Sequence, residues 1–198
     1  EFLRSVASRQ SDLVSDWMGI GFIHGVMNTD NVSIPGETLD YGPCAFMDKY
    51  NENTVFSSID TFGRYSYKNQ PIICQWNLAQ LANCILPFLS NEKEKSIKIA
   101  QNEIDKYSEV YHNYFSKEIF KKLGFSRKIE NDNKLKDELF DIMKRDGLDF
   151  TISFSNLYFE LLNINNDLSE FTSKSRDYTK WISKWKLRLK KEKKSVTQ

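Results

Sequence analysis

Apolar residues recur at helical spacing over most of the chain, with a break between residues 19 and 68. Glycines Gly19 and Gly21 follow the first helical stretch, and Gly124 follows the longest one, where each suits a helix end. The predicted helices cover residues 2–18, 92–123, 135–145, 149–163 and 174–193. The pattern therefore predicts a mainly α fold with loops and short strands near its N-terminal third.

A further predicted helix begins at Asn69 or Gln70. Either residue can cap it, and Pro71 fits its first turn, where a missing N–H costs little. Apolar residues lie on every side of this segment, which predicts a helix buried in a core. Trp76 is then expected to pack rather than to bind a ligand.

The last predicted helix combines an apolar face with an excess of basic residues. Trp181, Ile182, Trp185 and Leu189 form that face, while residues 174–194 carry ten basic and two acidic side chains. Such charge could bind nucleic acid or an anionic membrane. The whole chain has a formal charge of only +1, however, and an apolar stripe calls for protein packing. We therefore expect a solvated basic face, with no nucleic acid and no membrane among the partners.

Polar residues with chemical potential are concentrated in the non-helical region. The sequence reads HGVMNTDN at 24–31 and DYGP at 40–43. A Pro-Gly turn signal at 35–36, with apolar residues on either side, predicts a short β-hairpin that carries the two polar groups back toward each other.

These polar residues are suited to holding a metal ion and a phosphate. Mg²⁺ takes oxygen ligands, usually one or two carboxylates together with phosphates and water. Asp40 and the side-chain carbonyl of Asn31 can supply such a pair. Phosphoryl-type transfer also requires a group that orients a hydroxyl and takes its proton, and Asp30 is the candidate for that role.

The arrangement resembles the catalytic half of a protein kinase, but with departures. Kinases place the metal-binding Asn several residues after the catalytic Asp and follow with Asp-Phe-Gly. Here Asp30 and Asn31 are adjacent, and Tyr41 stands where kinases have Phe. The chain is instead similar to the selenoprotein O family, known in bacteria as YdiU proteins. The resemblance is carried by 24–31, 40–43, GRYSY at 63–67, NQP at 69–71, WNL at 76–78, KLG at 122–124, LFDIM at 139–143, DFT at 149–151, Trp181 and RL at 188–189.

This resemblance implies a pseudokinase fold that binds ATP in a flipped orientation and transfers AMP to Ser, Thr or Tyr hydroxyls of proteins. It implies Asp30 as the general base, Asn31 and Asp40 as Mg²⁺ ligands, and Asp40 as a residue near the nucleotide. The expected cofactors are Mg²⁺ and ATP, and the expected partners are proteins with hydroxyl side chains. By the same resemblance, the protein is cytoplasmic if bacterial and mitochondrial if eukaryotic.

The resemblance also implies that the chain is a fragment. We expect residues 1–198 to form a single kinase-like C-lobe with the N-lobe absent, divided into a catalytic and metal-binding segment at 1–68 and a helical subdomain at 69–198. The glycine loop, lysine and arginines that hold phosphates in this family lie outside it. We therefore expect this chain to be inactive when isolated.

Several alternatives remain open from the residues alone. Arg64 could grip a phosphate or a substrate acid, or form a structural pair with Asp60 or Asp48, and the structural pair is favoured. His24 is expected to fix the loop backbone through hydrogen bonds. A noncatalytic pseudokinase that binds or scaffolds other proteins is the alternative function.

Other sites and segments are not indicated by the sequence. Three cysteines without a Cys-x-x-Cys pair, and two histidines, predict neither a zinc site nor a disulfide framework. No run is expected to approach the ~18–20 apolar residues of a membrane span.

Overall fold

The computed structural model describes residues 1–162 and 175–192. Its helices are α1 (Phe2–Ile20), α2 (Gln70–Leu89), α3 (Lys93–Lys122), α4 (Asp132–Asp146), α5 (Phe150–Leu162) and α6 (Arg176–Leu189). Strands β1 (Phe22–Ile23) and β2 (Ala45–Phe46) form a two-stranded antiparallel sheet. The predicted mainly α fold is confirmed, whereas its likeness to a kinase C-lobe stays a prediction. The predicted helix ends at 163, 174 and 193 lie outside the described residues.

The chain divides into two compact units. The first contains residues 1–46 and 52–115, and the second contains 47–51 together with the described part of 116–198. Helix α3 contributes its first part to one unit and its last turns to the other. All of the predicted site residues lie in the first unit.

Helix α1 forms one side of the core of the first unit. Leu3, Val6, Val14 and Met18 are buried, and the helix packs against α2 and β1. The helix ends at Ile20 because Gly21 adopts a left-handed conformation (φ 73°) and donates its N–H to the Trp17 carbonyl. The chain can therefore turn directly into β1.

Helix α2 begins at Gln70 with Pro71 in its first turn, as predicted, but it is not buried on all sides. Gln70, Cys74 and Leu78 are buried, whereas Ile72 is 63% exposed and Trp76 is 45% exposed. The prediction of burial all round was wrong because no described segment covers the face that carries these two side chains.

The helical segment Tyr67–Leu89 is long and apolar enough to cross a membrane by length and composition, since an 18-residue stretch within it has a mean hydropathy of 1.3. The prediction that no run approaches this limit was therefore wrong. Length and composition alone are weak evidence for a span, because core helices pass the same test. Two polar side chains of α2 bind backbone groups of the first unit, as described below, which is the behaviour of a helix inside a folded domain.

The predicted β-hairpin at 32–39 did not form. The Pro-Gly turn is present, since Gly36 (φ 80°) donates its N–H to Ser33 at 3.0 Å. The flanking residues bond to α1 instead of to each other: Gln10 donates to the Ser33 carbonyl and Trp17 to the Thr38 hydroxyl. The sheet lies at β1 and β2, on either side of this loop.

The second unit is built around α6. Trp181 and Trp185 stack with their ring centroids 6.1 Å apart, and their indole N–H groups donate to the carbonyls of Leu135 and Leu123. Ile182 is buried with them, which confirms most of the predicted apolar face. Arg188, which was expected only as part of a sequence motif, forms a buried ion pair with Asp132.

Candidate functional site

The loop after β1 is fixed by the buried ring of His24. Its Nε2 lies 2.8 Å from the Leu39 carbonyl, and its Nδ1 accepts the Val26 N–H at 3.4 Å. Both contacts are satisfied when the ring is neutral with its proton on Nε2. The predicted role of His24 in fixing the loop backbone is confirmed.

Two side chains of α2 hold the same loop from the other side. The Gln70 amide accepts the His24 N–H and donates to the Phe22 carbonyl, both at 2.9 Å, and it is completely buried. Asn77 donates to the Met27 carbonyl at 3.0 Å. These contacts tie the loop to α2 at both ends of the segment 22–27.

The role of these two residues in clamping the loop was not predicted. The sequence indicates Gln70 as a possible helix cap and part of a family motif, and Asn77 as part of a motif. A buried polar side chain is expected to have a hydrogen-bond partner. The helix carries three further amides, Gln75, Gln80 and Asn83, so residue type alone does not single out the two that hold the loop.

Asp30 and Asn31 lie in a single 3₁₀ turn, Thr29–Asn31. Asn31 donates its side-chain N–H to the Val26 carbonyl at 3.1 Å, an orientation that leaves its Oδ1 available as a ligand. Asp30 is exposed and its carboxylate has no hydrogen bond or ion pair within residues 1–162 and 175–192. The turn thus presents the Asp30 carboxylate and the Asn31 amide oxygen next to each other in sequence, neither with a hydrogen bond to the described residues.

Asp40 adopts a left-handed backbone conformation with φ 57°. This conformation is uncommon outside glycine, although Asp and Asn adopt it more readily than other residues. Its carbonyl accepts the Gly42 N–H at 2.8 Å, which closes a tight turn. The carboxylate of Asp40 is exposed and unpaired among the described residues.

The segments that carry Asn31 and Asp40 share their anchors. Asp40 follows Leu39, which bonds to His24, and Asn31 bonds to Val26, two residues beyond His24. The position of a Cβ on Gly25 would lie only 3.0 Å from the Pro43 ring, so the two segments are in close contact there. Asn31 and Asp40 therefore lie on two segments that are both held by contacts with residues 24–26.

The oxygen ligands of Asp40 and Asn31 suit a cation that a phosphate also binds. Asp40 offers one carboxylate and Asn31 one neutral oxygen, and Mg²⁺ commonly takes this few protein ligands when phosphates and water complete its shell. No group of three or more His, Cys, Asp or Glu side chains is placed to hold a metal within the described part of the chain. A fully protein-made metal cage is therefore not the arrangement found at these residues.

An open cleft of about 620 Å³ lies next to the 3₁₀ turn. The Tyr65 hydroxyl donates to the Asn28 side-chain oxygen at 2.5 Å, and Asn28 immediately precedes the turn. Asp60 accepts the backbone N–H groups of Arg64 and Tyr65, both at 2.8 Å. Asp60 is thus a loop anchor.

The favoured ion pair of Arg64 with Asp60 or Asp48 is not present among the described residues. The Asp60 carboxylate is used by the two backbone donors, and the Arg64 guanidinium lies 4.9 Å from the centre of the Trp76 ring. Trp76 therefore supports a cation on its exposed face as well as packing into the unit.

The family model described as protein adenylyltransferase SelO matches residues 1–198. The chain is 49% identical over 193 residues to the protein nucleotidyltransferase YdiU of Clostridium beijerinckii, covering 98% of this chain and 38% of that protein. It is 46% identical to the protein of the same name from Bacillus cereus strain G9842, with the same coverage. The chain therefore spans well under half the length of these curated relatives.

Proposed function

The chain belongs to the protein adenylyltransferase SelO family, and we propose that the longer protein of which it is part transfers AMP from ATP to Ser, Thr or Tyr hydroxyls of proteins. The observation that carries the proposal is the exposed carboxylate of Asp30, which has no partner among the described residues and lies beside Asn31 on a loop held by His24 and Gln70. A fixed backbone with an unengaged carboxylate suits a group that must meet an external hydroxyl.

In the proposed reaction, Asp30 accepts the proton of the substrate hydroxyl as its oxygen attacks the α-phosphorus. A new oxygen–phosphorus bond forms, the bond from the α-phosphorus to the bridging oxygen breaks, and pyrophosphate leaves. Asn31 and Asp40 would hold Mg²⁺, which supplies charge neutralisation at the phosphates when bound. His24, Gln70 and the left-handed turn at Asp40 keep these oxygens in place, so that little reorganisation is needed during the reaction.

The test uses the full-length protein with Mg²⁺ and ATP labelled separately at the α- and γ-phosphates. Incorporation of the α-label alone into protein is expected. Asp30→Asn should lower the rate by about 10²–10⁴-fold, the usual contribution of a general base. Asp40→Asn should raise the Mg²⁺ concentration needed for half-maximal rate.

Asp12→Asn is the matched control, because Asp12 is an exposed carboxylate on α1 away from the loop. This variant should transfer AMP at the unmodified rate. Transfer of the γ-label would instead indicate a kinase, and transfer of neither label would favour the noncatalytic binding protein. An unchanged rate in Asp30→Asn would contradict the role assigned to Asp30.

A further inference from the structure

The cleft beside the 3₁₀ turn has an unusually apolar and exposed rim. Phe62 is 97% exposed, Ile59 is 81% exposed and Ile72 is 63% exposed. Large apolar side chains that are exposed together commonly mark an interaction surface. All of these residues belong to the first unit and line the same cleft.

The cleft also contains a cationic side chain, Arg64, that forms no ion pair with an acid among the described residues. Arg64 and Asp60 both line it. The Asp60 oxygens are occupied by backbone N–H groups, and the Arg64 side chain has no hydrogen bond or ion pair within the described residues. Because one face of its guanidinium rests on Trp76, the N–H groups at its edge remain able to bind a carboxylate in a bidentate manner.

One wall of the cleft is continuous with the proposed catalytic turn. Tyr65 bonds to Asn28, which immediately precedes the turn that carries Asp30. A polypeptide segment lying in the cleft would therefore pass Asn28, the residue directly before the turn that carries the proposed base. A ligand with one apolar side chain and one carboxylate would match both the rim and Arg64.

We propose that this cleft binds the protein substrate and selects segments that carry an acidic and an apolar residue close to the modified hydroxyl. The inference rests on the proposed function and specifies its substrate class. Arg64 is then a specificity-determining residue that pairs with the substrate carboxylate, and Phe62 and Ile72 contact the apolar side chain.

The experiment uses the full-length protein and serine-containing peptides in which one neighbouring position is Asp, Lys or Leu. With α-labelled ATP, kcat/KM should be higher for the Asp and Leu peptides than for the Lys peptide. Arg64→Glu should reverse the order of Asp and Lys by about tenfold or more, as expected for a reversed charge contact. The KM for ATP should not change. The same peptide order in Arg64→Glu and the unmodified protein would overturn the proposal.

Two matched controls test whether the effects are specific to residues that line the cleft. Lys68→Glu makes the same charge reversal at an exposed residue that does not line the cleft, and it should leave the peptide order unchanged. Phe62→Ser should raise the KM for the Leu peptide, whereas Phe88→Ser, at an exposed site on α2 outside the cleft, should not. If Phe62→Ser instead lowers Tm strongly and leaves the KM unchanged, another part of the longer protein covers this surface and the proposal fails.

A binding measurement distinguishes failure of this inference from failure of the proposed function. Fluorescein-labelled peptides are titrated with the full-length Asp30→Asn protein, and anisotropy is followed without any transfer step. Binding that depends on Arg64 without α-label transfer by the unmodified protein would support the cleft and refute adenylyl transfer. Transfer without any dependence on Arg64 would refute the cleft alone.

Discussion

Replacing Gln70 by alanine tests whether the loop that carries Asp30 depends on α2. The substitution removes the acceptor of the His24 N–H and the donor to the Phe22 carbonyl, each at 2.9 Å in a site with no solvent exposure. A buried backbone group left without a partner costs about 1–3 kcal/mol. The two groups together predict a loss of about 2–6 kcal/mol in the free energy of unfolding.

The loss should be visible in the thermal unfolding of the 198-residue chain. For a chain of this size, 1 kcal/mol shifts Tm by about 2–4 °C, so a loss of about 4 kcal/mol lowers Tm by about 8–16 °C. In the full-length protein, a displacement of the loop by about 1 Å would lower AMP transfer by about 10²-fold. The rate is measured at a temperature well below the lowered Tm, so that unfolding does not contribute.

Gln80→Ala is the matched control for this prediction. Gln80 lies on the same helix and has no hydrogen bond among the described residues, so the same change in side-chain length breaks no hydrogen bond there. Its Tm should stay within a few degrees of the unmodified chain. If Gln70→Ala were no less stable than Gln80→Ala, the clamp would not hold the loop and the reasoning would be wrong.

Two further predictions concern the second unit and the thiols. Arg188→Met should lower the free energy of unfolding by about 3–5 kcal/mol, because it leaves the buried carboxylates of Asp132 and Glu192 without the guanidinium. Arg188→Met with Asp132→Leu should recover the part of this loss that is due to Asp132, and equal stability of the two variants in urea would contradict the argument. Burial raises the pKa of the Cys74 thiol to about 12. At pH 8, iodoacetamide should therefore modify the exposed Cys84 and leave Cys74 unmodified until the chain unfolds. Equal labelling of Cys74 and Cys84 in the folded chain, measured by mass spectrometry, would refute this.

The helices were the part of the fold that the sequence predicted well, because their ends carry local signals. Gly21 ends α1 in a left-handed conformation, and Pro71 lies in the first turn of α2. The aromatic face of α6 was also predicted, since regular helical spacing of Trp181 and Trp185 leaves few alternatives. In each case the information lies within a few residues of the element itself.

The contacts that form the candidate site could not be predicted in this way, because they join residues far apart in the chain. The apolar residues around the Pro-Gly turn suggested a hairpin, but Gln10 and Trp17 of α1 compete for the hydrogen bonds of that loop. Arg64 was expected to pair with Asp60 or Asp48, yet the backbone of the same turn uses the Asp60 carboxylate. Asp30, Asn31 and Asp40 were identified by residue type and family resemblance, and their catalytic and metal-binding roles stay predictions.

The left-handed backbone at Asp40 has a small cost in stability. A left-handed conformation costs ordinary L-residues roughly 1–2 kcal/mol, and less for aspartate, whereas glycine adopts it without that cost. A sequence chosen for stability alone would have glycine here. If Asp40 binds the cation as proposed, selection for activity keeps aspartate there although glycine would be slightly more stable. Mutation to glycine would then give a more stable protein that has lost its metal ligand.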